Sequence, residues 1–244
     1  MVGMSAKTYR IGGVVVKLPR IDEEDCITME NLKAMRNEAS IYALLGQHPS
    51  ITRCLSIGPA RDYIELEYYA NGTLKDHIDQ QQASIAAPCL RRWARQCIES
   101  IVFIHAMGVR HSDLRLDQWL LDNDMNARLS DFNGSGYDAR AALGLEGSKA
   151  LGHEESSYYL PRDPTTDNRN ESDLFALGSV LYELLVGQRP YKNLEDDAIE
   201  SLYKRGQFPS VEGLLLGELI LGCWRGRFLS AQEVLHYGEM AYKL

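Results

Sequence analysis

The sequence predicts an α+β fold with two lobes, a small β-rich lobe followed by a larger helical lobe. Within the first 69 residues, apolar runs separated by turn-forming residues predict four short strands and one helix. From residue 90 onward, apolar residues recur mostly at helical spacing, and strand-like runs are confined to one short stretch. The 244 residues are enough to bury a substantial core.

The small lobe begins with a predicted β-hairpin that turns at the pair Gly12-Gly13. A two-residue glycine turn between apolar strands is a typical hairpin signal, because glycine adopts the positive φ angles that such turns need. Two more apolar strands follow the predicted helix. The four predicted strands are residues 9–11, 14–18, 51–57 and 63–68.

The helix of the small lobe is predicted over residues 28–45 and carries a carboxylate within its apolar stripe. Glu38 occupies that stripe, where an ionised side chain is costly unless it is paired. Lys17, at the far end of the second strand, is a candidate partner. In the alternative interpretation, Glu38 lies at the edge of the stripe in water and Lys17 is an ordinary surface charge.

The helical lobe is predicted to begin after the turn 70–72, with a short helix from Thr73. The polar segment 80–88 predicts a loop, and a long amphipathic helix follows from Leu90 to about Gly108. The next helices are predicted at residues 172–186, 195–205, 211–224 and 230–243.

Two segments of the helical lobe stand out from the regular pattern. Residues 137–159 show no sustained period, and a segment of this length without elements is usually functional or mobile. The helix at 172–186 is apolar on nearly every side, which is typical of a helix buried at the centre of a domain. Asp173, in its first turn, either caps this helix or holds a neighbouring loop through backbone N–H groups.

The stretch 109–136 concentrates the residues that can carry chemistry. Two short strands, Trp119–Leu121 and Ala127–Leu129, predict a hairpin that brings Asp113 and Asp131 to the same end. Convergent carboxylates on loops held by a short sheet suit metal-assisted phosphoryl transfer. The alternative is that acidic residues here only cap turns, which we accept for those at 122 and 124.

Composition excludes several classes of protein. The 26 basic and 34 acidic residues give a net charge of −8 without any basic block, so a nucleic-acid or anionic-membrane surface is not expected. Five scattered cysteines show neither metal spacing nor a disulfide framework, which favours a reducing compartment. Without a membrane-spanning run or signal-peptide pattern, we expect a soluble cytoplasmic protein.

Taken in order, these motifs resemble the eukaryotic protein kinase superfamily over nearly the whole chain, and most closely a short fungal kinase-like subgroup. The resemblance implies a two-lobed protein-kinase-like fold over residues 1–244, with an N-lobe of 1–69, a C-lobe of 70–244 and a hinge at 67–72. The similar motifs are Val14-Val15-Val16-Lys17, Glu65 to Gly72, His111 to Gln118, Asp131-Phe132-Asn133, Ser172-Asp173 with Gly178, Gln188 to Tyr191, and Cys223-Trp224-Arg225.

The resemblance assigns catalytic roles that agree with the chemistry of phosphoryl transfer, which needs positioning and charge neutralisation. Lys17 would contact the nucleotide phosphates and be oriented by Glu38. Asp113 would accept or orient the proton of the substrate hydroxyl. Arg115 takes the place of the loop lysine that steadies the transferring phosphate.

The cofactors implied by the resemblance are ATP and Mg²⁺. Asp131 would hold the metal, a hard cation that prefers oxygen ligands, and Gln118 would be a second and weaker ligand. The adenine would lie between two apolar side chains and bond to the backbone of the hinge. The residues assigned to the nucleotide, besides Lys17 and Asp131, are Val15, Leu66, Glu67, Tyr69 and Leu120.

Several positions depart from the family pattern around the nucleotide. Only 16 residues precede Lys17, and Gly12-Gly13 is used in the hairpin, so the first strand and the glycine-rich loop are expected to be reduced or missing. Gln118 replaces the usual asparagine and adds a methylene group. Asn133 replaces glycine, a change that the turn is expected to survive because asparagine tolerates positive φ.

Two further departures concern regulation and loop anchoring. Ser112 replaces an arginine that commonly pairs with an activation-loop phosphate, so control by that route is not expected. Arg162 stands where a glutamate is common, which reverses the charge and prevents the usual ion pair with a late arginine, here Arg227. Asp163 is a candidate substitute for that glutamate.

Three functions remain open from the sequence. The first is an ATP- and Mg²⁺-dependent Ser/Thr-type protein kinase with slow turnover, acting on an unidentified protein substrate. The second is a pseudokinase that serves as a nucleotide-binding or scaffold module for a protein partner. The third is a small-molecule kinase, which ranks last because the buried helix at 172–186 and the Cys-Trp ending are similar to protein kinases.

Overall fold

A four-stranded antiparallel sheet forms the N-terminal part of the protein. The computed structural model describes residues 5–81, 85–150, 154–163 and 166–244. The strand order is β1-β2-β4-β3, and the hairpin between β1 and β2 turns at Gly12, whose φ is 60°. The four strands are β1 Ala6–Ile11, β2 Val14–Pro19, β3 Cys54–Ile57 and β4 Ile64–Glu67.

Helix α1, Asp25–Leu45, packs against this sheet and ends at Gly46. The predicted apolar stripe is buried, and Glu38 within it is fully buried as well. The interpretation that Glu38 lies at the edge of the stripe in water is therefore wrong. The helix begins three residues earlier than predicted, at Asp25, because a single turn at a helix end carries little periodic signal.

Among the described residues, six α-helices form the C-terminal part, and the central one is buried on nearly every side, as its sequence predicts. A side chain at Gly178 would come within 2.8 Å of the Cys223 Cβ, so glycine allows two helices to approach closely. No helix in the described part of the chain is long and apolar enough to cross a membrane. The helices are α2 Leu74–Gln81, α3 Ala87–Ala106, α4 Asn170–Val186, α5 Asp196–Lys204, α6 Gly217–Trp224 and α7 Ala231–Tyr242.

Two small two-stranded sheets lie between α3 and α4. The predicted hairpin of Trp119–Leu121 (β6) and Ala127–Leu129 (β7) is present with the expected bounds. In addition, β5 Val109–Arg110 pairs with β8 Gly136–Tyr137. The sequence did not predict this second pair, because two-residue strands leave no readable period.

Three further elements also differ from their predicted bounds. The helix predicted at 211–224 begins only at Gly217, since Gly213 has a φ of 75° and a turn precedes the helix. Helix α3 begins at Ala87 because Pro88 fits the first helical turn, so the predicted loop 80–88 is shorter. The strand predicted at 51–57 retains only residues 54–57. The predictions for residues 82–84 and 151–153 lie outside the described residues.

Candidate active site

Lys17 lies between two carboxylates that come from different parts of the fold. Its Nζ is 2.8 Å from Glu38 Oε2 and 2.6 Å from Asp131 Oδ1. Strand β2 presents Lys17 on the same face as Val15, α1 supplies Glu38, and Asp131 follows β7. Although burial opposes the charge, the carboxylates of Asp131 and Glu38 raise the pKa of Lys17 well above its ordinary value. The lysine therefore stays protonated.

Asp131 is held in position by the residue that follows it. The buried Phe132 ring lies 5.3 Å from the rings of both Tyr42 and His111, and its N–H donates to Glu38 Oε1 at 3.3 Å. Asp131 itself adopts a φ of 63°, a conformation uncommon for a residue other than glycine. The packing of Phe132 thus fixes a backbone turn that aims the carboxylate at Lys17.

Asn133 does not adopt the positive φ that its replacement of glycine was expected to require, because Asp131 takes that conformation instead. The side-chain amide of Asn133 donates to Ser5 Oγ at 2.9 Å. The contact joins the loop after Asp131 to the residue preceding β1. The positive φ on which the expectation for Asn133 was based is therefore not adopted.

The loop that carries Asp113 is anchored by Asp173 of α4. The carboxylate of Asp173 accepts hydrogen bonds from the N–H groups of His111 and Ser112, both at 2.8 Å, and lies 2.9 Å from His105 Nε2. Of the two roles predicted for Asp173, holding the loop is therefore the one observed. Ser112 is buried with a φ of 64°, so the anchored loop also contains a constrained backbone turn.

Asp113 is a largely buried carboxylate with an unused acceptor. Among the described residues, its Oδ1 has no hydrogen-bond partner, and the closest cation is Arg115 Nη1 at 3.7 Å. Burial raises the pKa of Asp113 to about 7, and the nearby Asp131 carboxylate acts in the same direction. A carboxyl group that changes protonation state near neutral pH can accept a proton from a bound hydroxyl.

Gln118 ends the 3₁₀ turn that precedes β6, and its side chain is buried. The backbone carbonyl oxygen of Gln118 accepts hydrogen bonds from the N–H of Ser130 at 2.9 Å and from the Ser130 hydroxyl at 3.0 Å. These bonds place Gln118 opposite the residue next to Asp131. The backbone of Gln118 and that of Asp131, the two predicted metal ligands, therefore lie at the same end of the hairpin.

The residues predicted to contact adenine lie where the two parts of the fold meet. Val15 pairs with Leu66 across β2 and β4, and both have apolar side chains. Leu120, in β6, forms a bridge with Thr73, which follows the segment predicted as the hinge. In the described part of the chain, the N–H of Tyr69 has no backbone acceptor, so this donor is available to a ligand.

The sequence named Arg162 in the segment after β8 but not the partners that it has in the structure. Arg162 Nη2 contacts Glu154 at 3.2 Å and also Asn168, whose amide donates to Glu154 Oε1 at 2.6 Å. Arg227 instead lies over the Tyr237 ring at 4.4 Å. Arg162, which replaces the usual glutamate, therefore pairs with the buried Glu154 side chain. No periodic pattern in the sequence indicates this ion pair.

Glu154→Ala is expected to lower the free energy of unfolding by roughly 3–5 kcal/mol, because it leaves the mostly buried Arg162 guanidinium without its carboxylate. Chemical denaturation followed by circular dichroism measures the change. Asp167→Ala is the matched control, since it removes an exposed ion pair with Lys149 that is worth about 0–1 kcal/mol. Equal losses in the two variants would contradict the assignment of Glu154 as a buried anchor.

Comparison with known proteins agrees with the class that the fold and site define. A sequence profile described as protein kinase domain matches residues 13–212, which is most of the chain. The chain belongs to the protein kinase domain family.

Its relatives include Ser/Thr kinases at low identity. The chain is 26% identical over 209 residues to Serine/threonine-protein kinase PLK4 of Xenopus laevis, covering 82% of this chain and 22% of that protein. It is 29% identical over 203 residues to CBL-interacting protein kinase 24 of Oryza sativa subsp. japonica, covering 80% and 43%. The chain therefore spans less than half the length of these relatives.

Proposed function

We propose that the protein is an ATP- and Mg²⁺-dependent protein kinase of the Ser/Thr type with slow turnover. The observation that carries the proposal is the convergence of Lys17, Glu38 and Asp131, with Asp113 on an anchored loop nearby. Buried charges of this kind are costly to maintain, and they cluster at functional sites. The Ser/Thr kinases among the relatives support the same class.

The residues of the site fit the group that the family implies. Asp131 presents a carboxylate, the ligand type that Mg²⁺ prefers, and Gln118 would add a carboxamide oxygen. Magnesium-bound ATP supplies the phosphoryl group for transfer. Lys17 would hold phosphate oxygens, and Arg115 would steady the transferring phosphate. Asp113 would accept or orient the proton of the substrate hydroxyl through Oδ1, the oxygen that has no hydrogen bond among the described residues.

Slow turnover is part of the proposal because we expect the backbone cover over the phosphates to be weak. Gly12-Gly13 forms the hairpin turn next to β2, and β1 is an outer strand of the sheet among the described residues. Few backbone N–H groups would then cover the phosphates. The proposal treats residues 1–244 as one domain with a hinge at 67–72, in a fungal kinase-like subgroup. It includes a cytoplasmic location, which the five free cysteines favour.

Incubation with labelled ATP and Mg²⁺ is expected to transfer phosphate to a generic basic protein, and Asp113→Asn is expected to abolish that transfer. The rate is expected to fall as the pH drops below about 7, because burial raises the pKa of Asp113 to about 7 and only the ionised carboxylate accepts a proton. Phosphate incorporation over a pH series measures both effects.

Asp124→Asn is the control variant, because Asp124 lies exposed in the turn of the β6–β7 hairpin, away from Asp113. The alternative function is a nucleotide-binding or scaffold module, favoured by the weak phosphate cover. An ATP-dependent rise in melting temperature without transfer would support that alternative. If neither the wild type nor Asp113→Asn incorporates phosphate from labelled ATP, the enzyme proposal is contradicted.

A further inference from the structure

One carboxylate outside the predicted site contacts the guanidinium of the catalytic loop. Arg115 Nη1 donates to Glu155 Oε1 at 3.1 Å, and the other oxygen of Glu155 accepts from Arg189 at 3.1 Å. Glu155 therefore bridges two arginines that come from the loop after β5 and from the end of α4. Bonds between charged groups are the stronger hydrogen bonds, so the bridge constrains Arg115.

The segment that carries Glu155 is anchored independently of this bridge. Ser157 Oγ donates to the carbonyl of Pro190 at 2.8 Å, and the Tyr203 hydroxyl donates to the carbonyl of Ser157 at 3.0 Å. The Tyr158 N–H closes a turn onto the Glu155 carbonyl at 2.8 Å. The backbone thus holds Glu155 in place, and removing its charge is not expected to unfold the segment.

The position of Arg115 matters because Asp113 is its other neighbour. Arg115 Nη1 lies 3.7 Å from Asp113 Oδ1, which is within ion-pair distance but too far for a hydrogen bond. Without Glu155, the Arg115 guanidinium is expected to move toward that buried oxygen and donate a hydrogen bond to it, since hydrogen bonds between arginine and a carboxylate are strong. Such a contact would occupy the oxygen that the proposed reaction needs.

The remaining donors of Arg115 are available to a ligand. Nε bonds to Asp117 at 3.3 Å and Nη1 to Glu155, while Nη2 has no hydrogen-bond acceptor among the described residues. A guanidinium has five N–H groups in a rigid plane, so fixing one edge also fixes the direction of the others.

We propose that Glu155 is a positioning residue for phosphotransfer: it holds the Arg115 guanidinium off Asp113 and keeps Nη2 directed for a phosphoryl oxygen. Arg189 orients Glu155 from the other side. The inference rests on the proposed kinase function, and it adds a residue that contacts neither nucleotide nor hydroxyl. A displacement of about 1 Å at such a group can cost roughly 10²-fold in rate.

Glu155→Gln is expected to lower kcat by roughly 10²-fold while the KM for ATP stays unchanged, because Lys17 and Asp131 are untouched. Glu155→Asp is expected to recover part of the rate. The exchange Glu155→Arg with Arg189→Glu keeps an ion pair between these positions but presents a cation to Arg115. This exchange variant is expected to have the melting temperature of the wild type but a lower rate of phosphotransfer. Recovery of the rate by the exchange would overturn the proposal.

A second measurement separates this inference from the kinase proposal. In ¹⁵N NMR spectra, a held guanidinium rotates slowly, so the Arg115 side-chain signal, identified by its loss in Arg115→Lys, is expected to broaden or average in Glu155→Gln. An unchanged signal would overturn the inference whether or not the protein transfers phosphate. If the Arg115 signal changes in Glu155→Gln but the wild-type protein transfers no phosphate, Glu155 is still the residue that constrains Arg115. That result would reject only the kinase function.

Discussion

Replacing Lys17 with methionine is expected to lower the free energy of unfolding by roughly 3–5 kcal/mol and to abolish phosphotransfer. Glu38 is fully buried, and Lys17 is the cation beside it at 2.8 Å. Methionine fills a similar volume but leaves the buried Glu38 carboxylate without its counter-charge. The loss is therefore electrostatic rather than a loss of packing.

Adding Glu38→Gln to Lys17→Met separates stability from chemistry. Glutamine removes the uncompensated charge and keeps an oxygen that can accept from the Phe132 N–H. The double variant is expected to recover most of the lost stability and none of the phosphotransfer, since no cation remains for the phosphates. Urea denaturation and labelled-ATP incorporation measure the two properties.

Lys7→Met is the control for that pair, because Lys7 lies in β1 of the same sheet and is only half-buried. Its effect is expected to stay within about 0.5 kcal/mol, as for most surface substitutions. A double variant no more stable than Lys17→Met would mean that the Glu38 charge is not the source of the loss. Retained transfer in either variant would remove Lys17 from the proposed mechanism.

Asp173→Ala is expected to cost roughly 2–6 kcal/mol and to disorder the loop that carries Asp113. The substitution leaves the buried N–H groups of His111 and Ser112 without acceptors, and each unsatisfied group costs about 1–3 kcal/mol. Asp173 also binds His105 of α3, so both this helix and the loop lose a partner in α4. Because the loop conformation depends on these bonds, phosphotransfer is expected to fall with the stability.

Hydrogen exchange at the amides of His111 and Ser112 is the direct measurement for Asp173→Ala. Both are expected to be protected in the wild type and to exchange much faster in the variant. Glu171→Gln is the matched control, since Glu171 is exposed in the first turn of the same helix and does not reach the loop. Equal exchange rates in wild type and Asp173→Ala would exclude Asp173 as the anchor.

The sequence predicted best those parts of the fold in which a local pattern of residues indicates the buried face. The glycine pair defined the β1–β2 hairpin, and the helical stripe indicated that Glu38 faces the core and needs a partner. The hairpin of β6 and β7 likewise indicated that Asp113 and Asp131 share one end of a sheet. In each case a period of two or of 3.6 residues carries the information.

The segment between β8 and α4 could not be predicted in this way. Its charged residues follow no period, so neither the bridge from Glu155 to Arg115 nor the pair of Arg162 with Glu154 has a local signal. These partners lie 40 and 8 positions apart, respectively. Their contacts depend on how the loop folds over the helical part, which is a long-range property.

The sequence alone determined which charged residues the protein has to accommodate and which of them lie in apolar surroundings. Lys17, Glu38, Asp113 and Asp131 could be named from motifs and patterns, because burial of a charge without a partner is too costly to be accidental. Only the tertiary structure decided which cation each carboxylate contacts. Among the described residues, it left one oxygen of Asp113 without a hydrogen bond and placed Glu155 closer to Arg115 than Asp113 is. Pairing among several nearby charges depends on distances of a few ångströms that no linear pattern records.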